Sequence, residues 1–193
     1  MNIIDYLAPA QKKKLKYIKP SKGTTLFLEN DKCSSIGIVI NGQVSIVSYL
    51  NDGKEIIYNV LKENEIFGNN LIFSSDPYYK GNIITNEDSL IAMVSKKLLC
   101  EILSNNNKFM IEYLRISSDF AKKLNNNIKL LSIDNVEERF LFYLHEHQNK
   151  IEYSSISSLA SLIYVERETL SRLISKLLKQ NKIIKKDKTI ELL

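Results

Sequence analysis

Val165-Glu166-Arg167-Glu168-Thr169-Leu170-Ser171-Arg172 follows the apolar stretch Ile156-Ser157-Ser158-Leu159-Ala160-Ser161-Leu162-Ile163. The pattern predicts a short helix, a tight turn and a second helix that opens with two arginines and a Glu-Thr pair. Arg167 and Arg172 suit the N7 and O6 edge of guanine or a phosphate, and Glu168 suits the exocyclic amine of cytosine. The segment therefore has the make-up of a helix-turn-helix whose second helix reads DNA, with Thr169 and Ser171 placed to hold the nucleic-acid backbone.

Working outward toward the C-terminus, Ile183-Ile184 and Thr189-Ile190-Glu191-Leu192 flank Lys185-Lys186-Asp187-Lys188. Two short apolar strands around a basic turn predict a hairpin, the wing of a winged helix. Lys182, Lys185, Lys186 and Lys188 would meet phosphates there, giving affinity without sequence information. Toward the N-terminus, Val136, Phe140, Leu141 and Leu144 mark one more helix. Before it, Met110, Leu114, Ser117, Ala121, Leu124, Ile128 and Leu131 recur in steps of four and three. This heptad seam predicts a long helix over about 105–133 that packs against a copy of itself. Phe109, Tyr113, Ile116 and Phe120 form a second stripe, suited to covering a β domain.

Residues from about Lys16 to Ser95 read as short strands separated by turn signals. Ile36-Gly37-Ile38-Val39-Ile40 and Val44-Ser45-Ile46-Val47 flank Asn41-Gly42, which predicts a hairpin. Asn51-Asp52-Gly53 gives a second turn into Ile56-Ile57-Tyr58-Asn59-Val60-Leu61, and further strands fall at Ile83-Ile84 and Leu90-Ile91-Ala92-Met93-Val94. Many short strands with Gly and Asp turns argue for a barrel or sandwich. Ile3, Ile4 and Leu7 give the chain a short amphipathic start.

The net charge of +5 over 193 residues permits an acidic partner, and its distribution sharpens the point. Asp134, Glu137, Glu138, Glu146 and Glu152 make the segment before the motif acidic, whereas from Arg167 onward the basic residues outweigh Glu168, Asp187 and Glu191. A basic C-terminal end is an electrostatic footprint for nucleic acid. No apolar run is long enough to span a bilayer and the start does not read as a signal peptide, so a cytoplasmic location is expected. Cys33 and Cys100 stand far apart, outside any disulfide or zinc spacing, and read as small buried hydrophobes. His145 and His147, two residues apart on a helix, face different ways and cannot chelate together. No catalytic set, metal site or cofactor is expected, and the chain does not read as an enzyme.

A β-roll, a long dimerisation helix and a C-terminal winged helix resemble the Crp/Fnr family of bacterial transcription regulators across nearly the whole chain. Arg167-Glu168-Thr169-Leu170-Ser171-Arg172 is similar to that family's R-E-T-x-x-R recognition helix. Gly42, Asp52-Gly53, and Phe67-Gly68 with Leu71-Ile72-Phe73 are similar to its cyclic-nucleotide-binding β-roll. The resemblance implies an α+β fold: a double-stranded, jelly-roll-like β-roll with its long helix over 1–133, and a winged helix-turn-helix over 134–193. It implies base contacts by Arg167, Glu168 and Arg172, a homodimer on palindromic double-stranded DNA, and RNA polymerase as a further partner.

The departures bear on the input. Cyclic-AMP-responsive members carry G-E-L and a downstream R-S/T for the ribose and cyclic phosphate; here Gly68-Asn69-Asn70 lacks the acid and Pro77-Tyr78-Tyr79-Lys80-Gly81-Asn82 lacks the arginine. Neither Asn nor Lys80 supplies the bidentate fork of Arg. An effector pocket of Gly68, Asn69, Asn70, Tyr78, Tyr79 and Lys80 is expected to take something other than cyclic AMP, or no effector at all. Tyr164 stands where glycine is usual between the two helices, a position that calls for a left-handed backbone. A ligand-sensing or protein-docking module, with the winged helix as its docking surface, is the alternative reading.

Overall fold

The computed structural model describes residues 2–50, 52–53 and 55–193. The chain divides into two compact units, Met1–Ser118 and Asp119–Leu193. A 3₁₀ turn at Ile3–Tyr6 and a short helix α1 (Pro9–Lys12) lead, among the described residues, into eight strands. These are β1 (Lys16–Ile18), β2 (Thr25–Phe27), β3 (Ser35–Asn41), β4 (Val44–Tyr49), β5 (Glu55–Leu61), β6 (Ile66–Phe67), β7 (Asn82–Thr85) and β8 (Leu90–Ser95). They form two four-stranded sheets, ordered β1-β8-β3-β6 and β2-β7-β4-β5. Alternation along the strands sends Ile36, Ile38, Val44, Leu61, Ile83 and Ile91 into a core shared by both sheets. Ile3, Ile4 and Leu7 close the core from the N-terminal turn.

The Asn41-Gly42 hairpin expected from the sequence is not formed. β3 pairs with β6 and β8, and β4 pairs with β5 and β7, so this dipeptide carries the chain from one sheet to the other. Gly42 takes a φ of +94°, and a Cβ there would stand 2.8 Å from the Ser89 Cα. The glycine was legible as a left-handed turn residue; which strands pair on either side of it is a tertiary matter. The hairpin at Asp52-Gly53 does form, with Tyr49 opposite Glu55 and Gly53 N–H donating to the Leu50 carbonyl at 2.9 Å. Asn51 of that turn lies outside the described residues.

Helices begin at Lys96, directly after the stretch that reads as strands up to Ser95. α2 (Lys96–Asn105) is capped by Ser95, whose hydroxyl accepts from Leu98 N–H. α3 (Asn107–Leu131) is the long helix, and the boundary between the two units falls inside it. Phe109 and Tyr113 are buried in the core of the first unit and Ile116 packs against it. Leu130 is buried in the core of the second.

The second unit continues with α4 (Val136–Glu146), β9 (Lys150–Glu152), α5 (Ile156–Leu162), α6 (Arg167–Lys179), β10 (Ile183–Lys186) and β11 (Thr189–Leu192). β10 and β11 make the expected basic hairpin, with Asp187 at its turn in a left-handed conformation (φ +49°). A third strand that the sequence did not announce, β9, pairs with β11 and sets Ile151 opposite Ile190. Phe140, Leu144, Ile163, Leu170, Leu177 and Ile190 form the core of this unit. No helix among the described residues is long and apolar enough to cross a membrane.

Candidate nucleic-acid interface

The helix-turn-helix is built by burial on one side. Leu170, Ile174 and Leu177 of α6 are spaced four and three apart and lie in the core of the second unit. With 3.6 residues per turn, the opposite side then presents Glu168, Arg172, Ser175 and Lys179, flanked by Ser171 and Lys176. All six are exposed. A shallow open groove runs along this side, lined by Ser171, Arg172, Ser175, Lys176, Lys179 and Gln180. Arg167, at the first position of the helix, is also exposed, while Thr169 is half-buried. Arg172 is exposed, and its Nε donates to the Glu168 carbonyl at 3.3 Å, a bond that uses one of the five donors of the guanidinium. Lys176 and Lys179 counted in the sequence only toward the basic C-terminal end, and Ser175 not at all; extending the helical period two more turns past Arg172 places them on this side.

The turn before α6 is held by a residue that the sequence reading also missed. Arg139, on α4, donates through Nη1 to the Tyr164 carbonyl at 3.0 Å and the Ile163 carbonyl at 3.4 Å. Its Nε and Nη2 donate to the Ile133 carbonyl at 2.8 and 2.6 Å. Tyr164 adopts the left-handed conformation that its glycine-like position calls for, at φ +55°. The guanidinium thus satisfies the carbonyls of a turn whose backbone is already strained.

The four wing and post-helix lysines do not stand together. Lys185, Lys186 and Lys188 are exposed around the β10–β11 turn. Lys182 is committed elsewhere: its ammonium lies 2.7 Å from Glu137 Oε1, while Lys176 lies 2.7 Å from Glu137 Oε2. The bond to Lys176 first, and then that to Lys182, hold the Glu137 carboxyl well below the usual carboxylate range, down to about 2. The acidic segment that precedes the motif is thus partly spent on the basic residues that follow it. Glu146 accepts instead from the Asn126 Nδ2 amide of α3, upstream of it.

Residues 18–106 match the family described as cyclic nucleotide-binding domain, just under half of the chain. Among curated proteins, the anaerobic regulatory protein of Bacillus subtilis (strain 168) is 23% identical over 111 residues, 58% of this chain. The matched part spans 47% of that relative's own length. Among solved structures, a CooA variant from Carboxydothermus hydrogenoformans aligns with a TM-score of 0.76 at 17% identity, covering 100% of this chain and 91% of that one. A Eubacterium rectale protein assigned to the Crp/Fnr family aligns with a TM-score of 0.58 at 16% identity, covering 100% and 94%. The chain has the Crp/Fnr fold.

Within the Crp/Fnr fold, the six residues expected to form an effector pocket divide between core and surface. Tyr79 is 2% exposed, stacks on Phe27 at 4.8 Å between ring centroids, and donates from Oη to the Ser35 carbonyl at 3.4 Å. Burial pushes its phenol well above the ordinary value. Gly68 (φ +81°) is packed so closely that a Cβ would lie 3.0 Å from the Ser35 carbonyl oxygen. Asn69 is buried, and its carbonyl accepts from Tyr113 Oη of α3 at 3.1 Å. Burial raises the Tyr113 phenol to about 12, so it stays a donor at physiological pH. Asn70, Tyr78 and Lys80 are exposed instead, with Lys80 paired to Asp76 at 2.9 Å.

Both cysteines were expected inside, but only Cys33 is buried; Cys100 is exposed on α2. The Cys33 thiol sits against the Ser35 and Gly68 carbonyls at 3.5 and 3.6 Å, and burial pushes its pKa up. His145 Nδ1 lies 2.8 Å from Asn149 Oδ1, and His147 Nδ1 donates to the Tyr143 carbonyl at 2.8 Å. Each histidine has its own local partner.

Proposed function

We propose that the chain is a transcription regulator that binds a two-fold symmetric DNA site as a homodimer. The observation that carries this is the outward side of α6. A helix anchored by Leu170, Ile174 and Leu177 presents Glu168, Arg172 and Ser175 to solvent, a guanidinium and a carboxylate of the kind that pair with base edges. In this reading Arg167, Glu168 and Arg172 contact base edges, Thr169 and Ser171 contact the nucleic-acid backbone, and Lys185, Lys186 and Lys188 neutralise phosphates. Residues 134–193 act as the DNA-binding domain and residues 1–133 as its sensor. The anaerobic regulatory protein of B. subtilis and the shared Crp/Fnr fold favour the same output.

The dimer reading rests on α3. Leu114, Leu124, Ile128 and Leu131 are 45–62% exposed in the single chain, and Ala121 between them is exposed too. A face this apolar on one helix fits a second copy in coiled-coil register. Ser117 Oγ, on the same seam with half-buried Met110, is buried without a hydrogen-bond partner among the described residues. The input of such a regulator is not cyclic AMP in this reading. Asn69-Asn70 and Lys80 stand in place of the acid and the arginine, and Tyr79 is buried in the core rather than free to meet a ligand.

Binding to labelled duplex DNA tests the reading. Arg172→Ala is expected to cost about 1–3 kcal/mol on a selected site and to blur preference at one base pair, whereas Lys186→Ala weakens all sequences alike. Equal losses on selected and random duplex for Arg172→Ala would remove it from base reading. No binding to any duplex even at low salt would favour the protein-docking alternative.

A further inference from the structure

We propose that Glu137 competes with DNA phosphate for Lys176 and Lys182, and so holds down the sequence-independent part of DNA affinity. The inference rests on the DNA-reading role of α6. Lys176 lies on the rim of the groove that also carries Arg172 and Lys179, so its ammonium belongs to the charge that a duplex would meet. Lys182 follows three residues after the end of α6. One carboxylate takes both ammonium groups at 2.7 Å each, with its two oxygens divided between them.

The geometry is that of a fixed anion and two mobile cations. The Glu137 side chain is 21% exposed, against 57% for Lys176 and 49% for Lys182. Glu137 sits in the first turn of α4, where the helix dipole favours a negative charge, and its N–H is already satisfied by the Asn135 side chain. The carboxylate therefore has a stable seat without the lysines. Each lysine reaches it from a flexible stem that can swing to another anion. A phosphate offers the same oxygen chemistry as the carboxylate, and the exposed pairs hold too weakly to exclude the exchange.

Neutralising Glu137 should free two cations for phosphate. With random-sequence duplex as the probe, Glu137→Gln is expected to tighten binding at low salt at least about threefold. It should also steepen the dependence of log K on log salt by up to about 1.8, two contacts at about 0.9 each. In a Lys176→Gln/Lys182→Gln background the same substitution should change neither quantity. A gain that persists in that background would overturn the proposal, since the carboxylate would then act by repelling DNA directly. Unchanged or weakened binding by Glu137→Gln would overturn it too, with Glu137→Ala and thermal melting of both variants excluding a folding defect as the cause. Wild-type protein that binds no duplex sinks the DNA reading itself; wild-type binding with an unmoved Glu137→Gln sinks this proposal alone.

Discussion

Arg139 donates to carbonyls from two separate places in the chain, Ile133 at the exit of α3 and Ile163 with Tyr164 at the turn before α6. Only a planar fork with five donors can hold both at once, which is why lysine is no substitute. Arg139→Ala should lower the stability of the protein by about 1.5–3 kcal/mol, the range for hydrogen bonds to a charged group, as measured by urea unfolding. Arg139→Lys should recover less than half of that loss. An alanine variant as stable as wild type would show that water replaces the guanidinium. Tyr164 itself was legible: its place in the motif calls for a left-handed residue, and the backbone supplies one at φ +55° despite the Cβ. Arg139 was not legible, because nothing local in Glu137-Glu138-Arg139-Phe140 says which carbonyls a long side chain will find across the fold.

At the scale of elements, α3 carries two stripes that meet different surroundings. Phe109 and Tyr113 belong to the first core with Ile116 packed against it, and Leu114, Ala121, Leu124, Ile128 and Leu131 of the seam are left to solvent in the single chain. Leu124→Glu should therefore give monomers by sedimentation without lowering helix content by circular dichroism, because the side chain is already 45% exposed. A dimer that survives this substitution would count against the seam. The contact between α4 and the residues from α6 to Lys182 has its own signature in acid. Glu137 titrates near 4.5 in an unfolded chain and at about 2 when bonded to Lys176 and Lys182, so its contribution is present above about pH 4.5. It is lost as pH falls through about 2. Glu137→Gln should flatten that acid-side fall in unfolding midpoint; a fall of the same depth in the variant would place its cause in other carboxylates.

For the whole molecule, a two-fold dimer predicts a two-fold target. Two recognition helices in successive major grooves stand about 34 Å apart, one helical turn of about 10 base pairs. Inserting five base pairs between the halves of a selected site turns one half to the far side of the duplex. Dimer affinity should then drop to that of a single half-site, and an insertion of ten should restore part of it. Equal affinity for all three spacings would mean that each chain binds alone.

Local spacing along the chain sets the periods and the chemistry carried on them. Strands from Lys16 to Ser95, helices from Lys96, the helix-turn-helix with Arg167, Glu168 and Arg172, and the basic hairpin all follow from spacing that neighbouring residues set locally. Beyond the two hairpins at Asp52-Gly53 and Asp187, which of those pieces meet is a tertiary matter. Tertiary structure sent Asn41-Gly42 across two sheets, added β9 to the wing, turned Tyr79 inward and Tyr78 outward, and drew Lys182 away to Glu137. The reason is one of range. Helix and turn preferences act over a few bonds, while the partners of β3 and β9, the burial of Tyr79 and the pairing of Glu137 with Lys176 and Lys182 depend on residues tens of positions away, where no local pattern reports them.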